Sequence, residues 1–229
     1  MVLFAGGPLF VLAYRKAGLL FLLLWLGAFI CALASRDNSP KPFPSLTVIM
    51  RRLALIAPFR MGLVLTMLAM KPTPEDLMAR AAMQAILKRF VRLGGLLTLA
   101  VWRLLPSFFL ALPRQHPLFW LLIMALYPLL SVWPQEMIYR RFLFHRYSRL
   151  FPKPQWMIAA SALAFGFAHI IFLNMVAVPL TIAGGWLFAQ SYARHRSLRL
   201  ACFEHALYGC LIFTIGLGQY FYTGSAWHH

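Results

Sequence analysis

Only five carboxylates occur in these 229 residues: Asp37, Glu75, Asp76, Glu136 and Glu204. The first three lie in or beside polar stretches. Glu136 and Glu204 interrupt apolar ones, Trp133-Pro134-Gln135-Glu136-Met137-Ile138-Tyr139-Arg140-Arg141-Phe142 and Phe203-Glu204-His205-Ala206-Leu207-Tyr208-Gly209. A carboxylate at the edge of a membrane segment is costly unless it is paired or faces a cavity, so by default it is a functional-site candidate. Glu136 and Arg140 are four residues apart, which on a helix puts them on one face within salt-bridge reach. The alternative for this pair is a structural ion pair that fixes helix packing. Two histidines also sit inside apolar segments, His169 after Phe165-Gly166-Phe167-Ala168, and His205 beside Glu204. Singly, each reads as a hydrogen-bonded packing residue. Together, a glutamate and two imidazoles form an apparatus for activating water and stabilising an oxyanion in a dry site.

The same residues allow a second chemistry. His169 and His205 with Glu136 or Glu204 would give zinc two imidazoles and a carboxylate, leaving water in the fourth position. There is no His-Glu-x-x-His, so those ligands would come from separate helices. The expectation is a site without a cofactor, with zinc as the alternative. Other membrane chemistries fit less well. Gly216-Leu217-Gly218 is followed by Gln219 rather than an aspartate, and no Gly-x-Ser-x-Gly occurs. No clear internal repeat suggests a transporter. Cys31, Cys202 and Cys210 lie in apolar runs without CxxC spacing and read as small packing residues.

These residues must be positioned by membrane helices. Hydrophobic residues make up 62% of the chain, charged residues 12%, and the mean hydropathy is +0.73, whereas a soluble domain is about half apolar and a quarter charged. The apolar runs are continuous rather than alternating, which argues against a β-barrel. The expected fold is all-α, a polytopic transmembrane bundle of about six to eight membrane helices. The net charge of +17 comes from Arg and Lys flanking apolar segments, where they face anionic headgroups. The lipid bilayer, not nucleic acid, is the expected partner.

Two regions are expected, 1–92 and 93–229. In the first, Ala17–Ala34 is a clean apolar run after Arg15-Lys16. Ala32-Leu33-Ala34-Ser35 imitates a signal-peptidase site, but the run is longer than a usual signal core and is read as a retained helix. A Pro/Ser-rich loop follows at 35–45, and 53–70 is apolar but broken by Pro58 and Arg60, so its topology stays open. Thr73-Pro74-Glu75-Asp76 starts a helix, with Thr73 as cap and Pro74 in first position. To Arg92 it carries a polar row, Arg80, Gln84, Lys88 and Arg92, that suits a helix lying on the membrane surface. Further spans are expected at about 93–112, 116–133, 155–173, 176–192 and 199–222. Basic connections at 140–153 and 194–199 should face the cytoplasm.

Three motifs in this order resemble the CPBP family of intramembrane proteases, the CAAX-protease and bacteriocin-processing group. The family's Glu-Glu-x-x-x-Arg, Phe-x-x-x-His and His-x-x-x-Asn read here as Gln135-Glu136-x-x-x-Arg140, Phe165-x-x-x-His169 and His205-x-x-x-Gly209. The resemblance covers about residues 116–222. It implies a membrane endopeptidase, in a bacterial inner membrane, acting on a membrane-associated protein. A carboxylate would be the general base, the two histidines would hold water and oxyanion, and the arginine would orient the acid. Two departures stand out. Gln135 replaces the first glutamate, and an amide accepts no proton at useful pH. Gly209 replaces the asparagine and removes an oxyanion donor worth about 100- to 1,000-fold in rate. The expected base is therefore Glu136, with Glu204 as a second candidate, and Gln135, Asn174 or Tyr208 would supply the missing donor. A non-catalytic scaffold or immunity protein of the same build is the alternative. One difficulty concerns depth. His169 lies 14 residues beyond Gln155 and His205 six beyond Arg199, roughly 12 Å apart in depth on straight helices unless one tilts.

Overall fold

The computed structural model describes residues 8–9, 17–35 and 74–221. These fall in two compact units, Met1–Arg36 with Ala85–His229, and Asp37–Gln84. Of the second, only the opening turns of one helix are described. The expectations for 35–45 and 53–70, and for Thr73 as a cap, lie largely or wholly outside the described residues.

Among the described residues there are seven helices and no strand: α1 (Ala17–Ala34), α2 (Pro74–Leu104), α3 (Ala111–Gln115), α4 (Pro117–Leu150), α5 (Pro154–Phe172), α6 (Ala177–His195) and α7 (Leu198–Ile215). Three of them, α4, α5 and α7, are long and apolar enough to cross a membrane. The fold is an all-α membrane bundle, as composition predicts.

Two expected boundaries are corrected. The surface helix and the span at 93–112 are not separate elements. α2 runs unbroken through Arg92 and the Gly94-Gly95 pair to Leu104. A helical glycine costs about 1 kcal/mol, but Gly94 is where Leu211 of α7 packs, 3.0 Å from the place a Cβ would take. The helix stops just before Leu105-Pro106, because the residue preceding a proline avoids helical backbone. The polar row at Arg80, Gln84, Lys88 and Arg92 is exposed, as expected.

The second correction concerns 140–153, read as a basic connection. α4 stays helical to Leu150, and Arg140 is buried inside the bundle. α4 is not regular. Its turns widen to i→i+5 spacing at Pro128–Val132 and at Met137–Phe142, on either side of Trp133–Glu136. Pro128 and Pro134 lack the N–H that a regular helix needs, and wide turns of this kind often mark functional positions.

α1 docks on this irregular part. Pro134 cannot donate to the carbonyl of Leu130 four residues back, and the Trp25 indole N–H donates to that oxygen at 3.1 Å. The Trp25 ring also stacks on Trp133, while Ala28 and Cys31 pack with Met137, Ile138 and Tyr139. Trp25→Phe should therefore lower stability by roughly 0.5–1.5 kcal/mol in detergent-solubilised unfolding. The loss should shrink in a Pro134→Ala background, where an N–H returns to residue 134. An equal loss in both backgrounds would show that the indole–carbonyl bond contributes nothing.

α5 and α6 approach closely through small residues, as membrane helices do. A Cβ on Gly166 would collide with Ile182, and one on Gly185 would press on Phe165 and Ala162. Asn174 caps α6, its Oδ1 accepting from the N–H groups of Val176 and Ala177. Ser197 caps α7 through the N–H of Leu200.

Candidate active site

Glu136 and Arg140 form the ion pair that their spacing predicts, with Arg140 Nε 3.2 Å from Glu136 Oε2 and both side chains fully buried. The other carboxylate oxygen, Oε1, lies 2.9 Å from Nδ1 of His205. Arg140 Nη1 donates to Ser161 Oγ at 2.9 Å, and Ser161 in turn donates to the Tyr139 carbonyl. The guanidinium lies over the Phe165 ring, 4.9 Å from its centroid, and near Phe188. Arg140 is thus held by a carboxylate, a hydroxyl and two aromatic faces, a set a lysine could not reproduce.

His205 is fixed on every side. An ionised carboxylate only accepts hydrogen bonds, so His205 Nδ1 carries a proton towards Glu136. Its other nitrogen, Nε2, lies 3.0 Å from the Tyr127 hydroxyl. Phe188 stacks on the ring at 4.6 Å between centroids, and Phe165 meets it edge-on at 5.3 Å.

His169 closes the end of α5. Its Nδ1 is 2.7 Å from the Phe165 carbonyl, which can only accept, so Nδ1 carries the proton and Nε2 is left as an acceptor. The Phe165 ring also lies 4.7 Å from the His169 ring. One phenylalanine ring therefore contacts both imidazoles, and the expected difference in depth does not deny them a common neighbour.

Both histidines line a cavity of about 1360 Å³ whose wall is mostly Leu, Ile and Phe. Gln135, Ser131, Tyr127, Tyr208 and Gly209 line it too, but Glu136, Arg140 and Glu204 do not. Successive helical residues point about 100° apart. That is why Gln135 meets the cavity and Glu136 meets the protein interior. Gln135 donates from Nε2 to Ser131 Oγ at 2.7 Å, and its buried carbonyl oxygen has no hydrogen-bond partner.

This geometry corrects several sequence expectations. Glu136 does not line the cavity, because both its oxygens are turned to His205 and Arg140. Glu204 does not reach the site: Arg89 of α2 binds it at 2.5 Å and Ser191 of α6 at 2.6 Å. It serves a separate polar joint between α2, α6 and α7, which Gln190 completes through Arg89. Asn174 is consumed as a cap and by donation to the carbonyls of Phe172 and Tyr220. Tyr208 borders the cavity with its hydroxyl unpaired. Among the described residues, no three His, Cys, Asp or Glu side chains are grouped to hold a metal ion.

Tyr127 is the member that sequence reasoning missed. Counted at 100° per residue, the nine residues from Tyr127 to Glu136 put them on opposite faces of α4. The wide turn at Pro128–Val132 takes in roughly one extra residue and brings them to one side. Pro128 is the only sequence signal of that turn.

The fold and site define a class, a helical membrane bundle in which a buried carboxylate–imidazole pair adjoins an apolar cavity. Residues 117–211 match the family model of the Rce1-like type II CAAX prenyl endopeptidases, within the CPBP family. The match takes in α4, α5, α6 and most of α7, and with them all three motifs. No curated protein and no solved structure matches the chain.

Proposed function

We propose that the protein is a CAAX-type intramembrane endopeptidase that hydrolyses a peptide bond of a membrane-associated protein, using water held in the α4–α7 cavity. The observation that carries this reading is the disposition of the two imidazoles. His169 has a bound Nδ1–H and an Nε2 left to accept on a side chain that lines the cavity, while His205 is anchored by Glu136. His169 then takes the proton from the attacking water and returns it to the leaving amine. Gln135 binds rather than deprotonates the water, through its unpartnered carbonyl oxygen. Glu136 acts at one remove, by orienting His205, and Arg140 holds Glu136. The reading needs no metal ion. The apolar cavity wall suits a substrate that enters from the bilayer, and a bacterial inner membrane is the setting that the motif resemblance implies.

The test is reconstitution in proteoliposomes with a quenched fluorescent peptide ending in a prenylated cysteine, two aliphatic residues and one further residue with a free C-terminus. The expected result is release of the C-terminal tripeptide, insensitive to chelators. Loss of cleavage on chelation and its return with zinc would favour the metal reading instead. Gln135 itself favours one rival, a non-catalytic relative, because an amide stands in the cavity where the family's motif has a carboxylate. Under that reading the natural chain cleaves nothing and Gln135→Glu gains activity.

A further inference from the structure

Gly209 stands where the family's last motif has an asparagine, and its surroundings are not empty. A Cβ built on Gly209 would run into the Tyr127 ring and hydroxyl. The same hydroxyl is 3.0 Å from His205 Nε2, and Tyr127 lines the cavity. The missing side chain on α7 and the phenol reaching over from α4 therefore claim one volume. We propose that Tyr127 supplies the hydrogen-bond donor that residue 209 lacks, as the last link of a Glu136–His205–Tyr127 chain that binds the oxyanion of the reaction.

This inference rests on the endopeptidase reading and adds a donor to it. In the resting chain His205 Nδ1–H points to Glu136, and the Tyr127 hydroxyl donates to Nε2. When the scissile carbonyl lies in the cavity, the Tyr127 hydroxyl turns its O–H from Nε2 towards that oxygen, and no proton leaves the phenol or the imidazole. The scissile carbonyl oxygen, becoming negative as water adds, then accepts from the Tyr127 O–H. No bond to Tyr127 forms or breaks. The water proton passes to His169 and on to the leaving nitrogen as the C–N bond cleaves, and the chain ends as it began. Gly209 is what lets the phenol lie there, and its buried position between Tyr127 and the body of α7 leaves no room for a larger residue.

Four proteins reconstituted with the prenylated peptide test this: the natural chain, Tyr127→Phe, Tyr127→Ala, and Tyr127→Ala combined with Gly209→Asn. Tyr127→Phe keeps the ring and removes the donor. It should lower kcat by about 100- to 1,000-fold, with KM and thermal unfolding nearly unchanged. Gly209→Asn in the Tyr127→Ala background returns an amide donor to the vacated volume and should recover about tenfold or more of the rate lost by Tyr127→Ala. In selectively ¹⁵N-histidine-labelled protein, Tyr127→Phe should also move the His205 Nε2 resonance. A Tyr127→Phe enzyme as fast as the natural chain overturns the proposal while leaving the endopeptidase reading in place. So does a double variant no faster than Tyr127→Ala. Absence of cleavage by the natural chain overturns both.

Discussion

His169→Gln is expected to lower kcat for the prenylated peptide by about 100- to 10,000-fold, the range for losing a positioned general base. KM and the unfolding temperature should change little. The substituted glutamine can still donate to the Phe165 carbonyl that now holds Nδ1, and it fills much of the space among Phe165, Phe172 and Phe221. What it lacks is a second nitrogen able to accept a proton. This substitution separates the two candidate bases in a way that Glu136→Gln does not. Removing the Glu136 charge would slow the reaction under either assignment, because His205 loses its partner at 2.9 Å. Loss at His169 with the fold intact tells specifically for an imidazole base. A His169→Gln enzyme with kcat close to that of the natural chain would return the role to a carboxylate. Among the described residues the one beside the histidines is Glu136, whose path to the cavity would then have to open during turnover.

The parts of this protein that were legible in its sequence are those fixed by local periodicity. Ala17–Ala34 reads directly as a helix because no proline, charge or polar run interrupts it. The Glu136–Arg140 pair reads from spacing alone, since i and i+4 share a face even through a widened turn. What was not legible depends on packing between segments far apart in the chain. Gly94-Gly95 looks like a boundary until Leu211 is seen to need that gap. Arg140 looks like the edge of a basic loop until its partners Ser161, Phe165 and Phe188 arrive from α5 and α6. Glu204 looks like a neighbour of His205, but adjacency on a helix turns it away, towards Arg89 and Ser191. Tyr127 is the clearest case. A proline-induced wide turn rotates it onto the face of Glu136, and no regular-helix count places it there.

Arg140→Met is expected to destabilise the bundle by about 3–5 kcal/mol, the cost of leaving a buried charge without its partner. Glu136 is fully buried, so its carboxylate would keep only the His205 ring. Methionine matches the aliphatic part of arginine and packs on the same Phe165 and Phe188 rings, so little of the loss can come from a void. The Glu136→Leu/Arg140→Met double variant removes both charges and should regain most of the stability, since replacing a whole buried pair by apolar residues is often neutral or better. It should not regain activity. Without the carboxylate nothing sets the proton on His205 Nδ1, and the hydrogen-bond chain to the Tyr127 hydroxyl loses its anchor. Unfolding of the three proteins in one detergent, beside their cleavage rates, measures the two roles of the pair separately. An Arg140→Met protein as stable as the natural chain would mean that the Glu136 charge is neutralised in some other way. A double variant that is both stable and active would remove Glu136 from the mechanism.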